Sequence, residues 1–329
     1  MNEKILTSII LLIFLMLSTF SISTADETIY NEDASSQNAI LKLPEEYQQE
    51  LPAPGSTPDS WTYGFKRFRE NINLFFTFDK KEKAEKQARL AELRLAEVKE
   101  MVSKGKTEYI TDLISDYEKN IEESTKLTEI AQQMGENTTK IRELVAIATS
   151  QHVSILEEIL QRVPEQAKSS IQHAINASEQ ENERSLSALA SIQPEKAAEI
   201  HLHIAEKNFL KAQEEFKLEN ITNSSGDFIQ EYEKQINKSK EIIETMKKLG
   251  KNTEDIEYII NNATSKHVSI LSEIKENIPE NATKAIEKAL NVSRKGGEEA
   301  LSAIEARTQL KQESENITDV IEKAKNYFP

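Results

Sequence analysis

Histidine is the side chain whose ordinary pKa lies nearest neutrality, and the chain has five. Two of them stand in copies of one segment. Gln151-His152-Val153-Ser154-Ile155-Leu156 recurs as Lys266-His267-Val268-Ser269-Ile270-Leu271, about 115 positions on. On a helix each histidine joins the apolar stripe, in the first copy one turn from Ala148 and Ile155. There it could titrate or bind a metal. Alternatively it could be a semi-buried ring whose nitrogens meet a carbonyl or carboxylate of a neighbouring helix. A helix-borne metal pair wants a second ligand four residues on, and neither histidine has His, Asp or Glu there. The second reading is favoured, with His152 and His267 kept as candidate pH-sensitive core residues. His201 and His203 are two apart, so on a helix they point about 200° from each other and cannot chelate together. They are expected at the surface or its boundary.

Other catalytic patterns are missing. The sequence contains no Gly-rich phosphate loop, Gly-x-Ser-x-Gly elbow, His-Glu-x-x-His or EF-hand loop. Its many Glu and Lys residues could be paired on paper, but an acid–base site needs a pocket that shifts their pKa values. The charge runs read as solvated helix faces, with one-turn pairs such as Glu82 and Lys86. No enzyme, cofactor or metal site is expected.

Nine Asn-x-Ser/Thr sequons begin at Asn137, Asn176, Asn220, Asn223, Asn237, Asn262, Asn281, Asn291 and Asn316. Chance in this composition gives about three, so all nine are candidate glycosylation sites. Asn176 and Asn291 stand out, on polar faces beside Gln172 and Glu179, and beside Glu287 and Arg294. A third feature is aromatic. Trp61, Tyr63, Phe65, Phe68, Phe75, Phe76 and Phe78 crowd one segment with Lys66, Arg67 and Arg69. Residues 59–78 are expected to form an amphipathic helix that docks its aromatic face on the first bundle. The alternative is an interfacial membrane helix.

These side chains need elements to hold them, and the repeat supplies those. The same offset pairs Tyr117 with Tyr232, Gly135 with Gly250, Pro164 with Pro279, Asn176 with Asn291, and Leu186-Ser187-Ala188 with Leu301-Ser302-Ala303. Two units follow, 79–193 and 194–309, with a tail helix over 310–329. Each unit divides into four amphipathic helices. In the first, Asp79-x-x-Glu82 has the form of a capping box, Gly105 and Gly135 end helices, Asn137 can cap the third, and Pro164 opens the fourth. In the second, Pro194 opens the first helix, and Gly296-Gly297 should weaken or kink the fourth. The expected fold is all-α: two tandem copies of a four-helix unit, as antiparallel bundles or an elongated helical array, preceded by a short aromatic helix.

The 329-residue chain carries a net charge of −15 and no cysteine. Disulfides and thiolate metal sites are therefore excluded. The acidic balance disfavours nucleic acid and simple electrostatic attachment to an anionic membrane. At the N-terminus Lys4 precedes an apolar run from Ile5 to Phe20, then small residues to Ala25. This order reads as a signal peptide over 1–25, cleaved after Ala25, with an uncleaved anchor as the alternative. Residues 26–58, with Pro44, Pro52, Pro54 and Pro58, read as a disordered polar linker.

The stretch Pro58-Asp59-Ser60-Trp61-Thr62-Tyr63-Gly64-Phe65-Lys66-Arg67, followed by Leu90-Ala91-Glu92-Leu93-Arg94-Leu95-Ala96-Glu97, carries a resemblance. It resembles an uncharacterised family of exported archaeal and bacterial proteins, the domain of unknown function 5667. Its pattern is Pro-x-Ser-x-x-Tyr-x-x-Lys-Arg and a later Leu-Ala-Glu-x-Arg-Leu-x-Glu helix. The resemblance implies a helical extracytoplasmic domain and no established activity. The second unit lacks the aromatic opening and has Ile204-Ala205-Glu206 where the first has Leu90-Ala91-Glu92. Together these features point to a non-enzymatic exported cell-envelope or secreted protein, a helical spacer or interaction module, N-glycosylated. Its partner would be an envelope protein or glycan, with membrane contact only through an uncleaved N-terminus. The competing expectation is a membrane-tethered sensory ectodomain with pH- or ligand-responsive bundles.

Overall fold

The computed structural model describes residues 51–217, 223–276 and 280–327, and they are all-helical. The signal peptide and linker expectations for 1–50 lie outside the described residues, as do Asn220 and Pro279. A short helix α1 (Tyr63–Phe75) precedes the first unit, α2 (Lys80–Ser103), α3 (Ile110–Gln133), α4 (Thr139–Arg162) and α5 (Glu165–Ile192). The second unit comprises α6 (Pro194–Lys217), α7 (Asn223–Lys248), α8 (Glu254–Glu276) and α9 (Glu280–Tyr327). No helix among the described residues is long and apolar enough to cross a membrane.

Local sequence explains the boundaries. Asp79 accepts a hydrogen bond from the Glu82 amide at 2.8 Å and starts α2. Gly135 and Gly250 take φ of 82° and 69°. There they close α3 and α7 with paired bonds, Glu136 N to Ala131 O and Lys251 N to Met246 O, both 3.0 Å. Asn137 lies one residue further out than a cap: its Oδ1 accepts from the Thr139 amide at 3.0 Å, and Asn252 repeats this with Glu254. Pro194 is the first residue of α6, where its missing N–H costs nothing.

Within each unit consecutive helices pair, α2 with α3 and α4 with α5, then α6 with α7 and α8 with α9. The pairs close on one core: Leu95, Ile114, Tyr117, Leu156 and Ile171 in the first unit, and Phe209, Tyr232, Ile236, Leu271 and Ile286 in the second. The units are not separate bundles. Ala146 and Ile147 of α4, Leu186 and Leu189 of α5, and Ala197, Ile200 and Ile204 of α6 form a shared apolar junction. The array therefore continues through the repeat boundary.

Two expectations change, for residues 51–58 and for the tail. Residues 51–58 are held rather than loose, because Leu51 packs on the core and Lys66 Nζ donates to the carbonyls of Ser56 (3.0 Å) and Pro54. α9 runs unbroken through Gly296 and Gly297. Thr264 lies against them, and a Cβ at 297 would stand 3.1 Å from its hydroxyl. The tail is no separate helix, since α9 continues through 310 to Tyr327.

The register also becomes sharper. Ser124 Oγ donates to Ala84 O at 2.9 Å, and its counterpart Ser239 Oγ donates to Ala198 O at 3.1 Å. The second helices are thus 115 residues apart and the first helices 114. The second unit is one residue longer between them.

Candidate functional site: a buried ionic clasp and a duplicated hydrogen-bonded triad

The family-like residues of α1 and α2 meet in one buried cluster. The side chains of Arg94 and Glu97, one turn apart on α2, are both fully enclosed, and Arg94 Nη1 lies 2.5 Å from Glu97 Oε2. Burying such a pair is costly unless its remaining donors and acceptors are satisfied. α1 satisfies them. Tyr63 donates its hydroxyl to Glu97 Oε2 at 2.9 Å and accepts from Arg94 Nη1 at 3.0 Å. Lys66 pairs with Glu97, and Glu70 with Arg94. At the rim Arg67 reaches Asp116 of α3 at 2.6 Å. Three cations thus face three carboxylates. Burial opposes the Arg94 charge, but Glu97 and Glu70 outweigh it and raise its pKa. Burial also raises the Glu70 carboxyl, which Arg94 and Arg67 only partly offset.

This clasp reverses the expected docking of α1. The helix turns its polar face inward, because Arg94 and Glu97 can accept only charged and hydrogen-bonding partners. Its aromatic face points to water: Trp61 is 94% exposed and Phe78 80%, with Phe65, Phe68, Phe75 and Phe76 also exposed. Sequence periodicity found the two faces and assigned the wrong one to the core.

The core histidines belong to a second cluster, present once per unit. Tyr117 OH lies 3.0 Å from His152 Nδ1 and 2.6 Å from Ser178 Oγ. Tyr232 OH lies 3.1 Å from His267 Nδ1 and 2.5 Å from Ser293 Oγ. Ser178 donates to Ala174 O at 2.7 Å and Ser293 to Ala289 O at 2.8 Å. Each tyrosine therefore donates to its serine and accepts from the ring, which selects the neutral Nδ1–H tautomer. Burial pushes both histidines down to about 3, aided by Lys207 for His152 and Lys266 for His267. Both rings stay neutral through the pH 5–8 interval. Phe209 adds a ring against His267, at a centroid distance of 4.3 Å.

His201 is buried, contrary to expectation, and its Nδ1 lies 2.5 Å from Gln235 Oε1. His203 is half-buried, and burial lowers it to about 4. The structure brings neither together with the triads. Among the described residues no three His, Asp or Glu side chains group as metal ligands. A cleft of about 400 Å³ beside Gly296 has Ile243 and Ile260 in its lining, and both of its cations are paired, Lys240 with Glu299 at 2.6 Å and Lys247 with Glu257 at 2.8 Å.

The sequons acquire a structural reason. Asn137, Asn176, Asn237, Asn262 and Asn291 are exposed, yet the hydroxyl residue two positions on is buried each time: Thr139, Ser178, Ser239, Thr264 and Ser293. Four of these hydroxyls bond helix carbonyls, and two complete the triads. A two-residue step on a helix turns about 200°, so an outward Asn and an inward Ser or Thr follow from the geometry. The side chains of Asn220, Asn223, Asn281 and Asn316 lie outside the described residues. The recurrence of Tyr117 and Ser178 at the offset of His152 was the signal for the triad, and the sequon reading masked it.

Comparison with curated proteins and with solved structures gives no match. Residues 55–166, from the segment before α1 to the first residues of α5, match the family model described as Domain of unknown function (DUF5667).

Proposed function

We propose that the chain is a non-enzymatic, exported helical spacer and interaction module of the cell envelope, N-glycosylated on its exposed faces. The observation that carries this reading is the apolar junction of α4, α5 and α6, which joins two like units without a flexible linker. Such a join transmits spacing and leaves long helix faces for contact. The exposed asparagines can carry glycans in the folded chain. Because their partner hydroxyls are buried, glycosylation would precede folding, as the chain leaves the membrane.

Mass spectrometry of the protein from its native host tests the proposal. A mature chain starting at Asp26, with glycans on some of the nine asparagines and cross-links to envelope components, is the expected result. Recovery from the cytosol with Met1 retained and every asparagine bare would overturn it.

A membrane-tethered ectodomain is the second reading, favoured by the exposed aromatic face of α1. With burial holding His152 and His267 down to about 3, both rings stay neutral in the folded chain between pH 5 and 8, so a rearrangement of the folded bundles there would answer a ligand.

A further inference from the structure

We infer that the outward face of α1 is a docking surface for an anionic lipid bilayer. This goes beyond the spacer reading and holds whether or not the leader is removed. Phe65 and Phe68 lie one turn apart on α1, Trp61 stands in the turn just before it, Phe75 ends it, and Phe76 and Phe78 extend the stripe past the helix end. It lies about 180° around the helix from Tyr63, Lys66 and Glu70, which the clasp consumes. No residue of α1 is buried. The clasp therefore fixes the helix flat on the first unit with its aromatics outward, the posture of an interfacial helix.

Composition and charge select the occupant. The stripe is Trp and Phe with no exposed Leu or Val, the side chains that suit the headgroup boundary. Outside the clasp, where carboxylates match Lys66 and Arg67, residues 61–83 hold four basic side chains against Asp79 and Glu82, a net +2 in a chain of −15. Arg69 borders the stripe, and Lys80, Lys81 and Lys83 follow it. Two copies meeting face to face would oppose these like charges, whereas anionic headgroups attract them. The acidic remainder of the chain favours the aromatic end as the one that approaches the surface. Global charge thus concealed a local basic, aromatic patch.

Trp61 is the sole tryptophan, so its emission reports this face alone. The full-length chain is mixed with vesicles of phosphatidylglycerol and phosphatidylcholine, with and without brominated acyl chains. Trp61 emission should move to shorter wavelength and lose intensity to bromine. Phe65→Asp with Phe68→Asp should abolish both changes while leaving the far-ultraviolet circular dichroism intact. Lys80→Gln and Lys81→Gln should each weaken partitioning about fivefold. Insertion of residues 5–20 alone leaves Trp61 in water, so emission unmoved by vesicles overturns the proposal. Emission already short in wavelength without lipid also overturns it, by showing the face covered by a second copy or by the chain itself.

Discussion

Arg94 and Asn208 occupy the same position of the first helix in the two units, 114 residues apart, and only the unit with the arginine has the aromatic helix against it. Arg94 is sealed inside the clasp. Asn208 turns back on its own helix, donating to Ile204 O at 2.9 Å. The position of Glu97 is taken by Lys211, whose ammonium lies 5.1 Å from the Phe228 ring centre. At this place the second unit has neither the guanidinium of Arg94 nor the carboxylate of Glu97.

Removing one clasp partner should be severe. Glu97→Ala removes the carboxylate of Lys66 and leaves Arg94 with Glu70 alone, and a loss of about 3–5 kcal/mol is expected in urea unfolding. Replacing both, Arg94→Leu with Glu97→Leu, should cost far less in stability yet release α1. Limited proteolysis should then cut between residues 58 and 79 in the double variant and not in the parent.

The triads predict a paired result. Tyr117→Phe leaves His152 and Ser178 without their shared hydroxyl, and Tyr232→Phe does the same to His267 and Ser293. Each should destabilise by about 1–3 kcal/mol in denaturant titration. Tyr117→Phe combined with Ser178→Ala should be less than additive, because the two share one bond.

The histidines also set a pH dependence. Their folded pKa of about 3 lies below the unfolded value, so the unfolded chain binds more protons as pH falls. Their contribution is fully present above about pH 6.5 and is lost progressively down to pH 3, by about 1.4 kcal/mol per pH unit for each histidine. Thermal melts from pH 8 to pH 4 should be flat to about 6.5 and then fall. Gln at both positions should flatten the lower limb.

Gly296 and Gly297 should respond differently to Ala. At 296 the new Cβ meets Thr264 at 3.5 Å, an ordinary contact, and helix propensity should raise stability by about 0.5–1 kcal/mol. At 297 it meets the Thr264 hydroxyl at 3.1 Å, so the gain should be smaller or reversed. Melting curves of the two variants decide this.

The fold was legible because helix periodicity, capping residues and a tandem repeat are properties of the chain itself. Asp79, Pro194 and the two glycines Gly135 and Gly250 did locally what their residue types imply. What periodicity cannot supply is the sign of a face. α1 has a polar and an aromatic side, and only the burial of Arg94 and Glu97 on a distant helix decides which turns inward. Triad contacts are illegible for a related reason: they join residues 35 and 61 positions apart across three helices. At Gly296-Gly297 the helix is continuous and Thr264 packs against both glycines, a contact that propensity does not reveal.

Hydrogen exchange of the α1 amides, followed by mass spectrometry, tests most directly whether the clasp holds this helix. Residues 63–75 should be protected together with α2 in the parent chain and lose that protection in Glu97→Gln, while α3 to α5 stay protected. Rapid exchange of α1 in the parent, or protection indifferent to Glu97, would contradict the account.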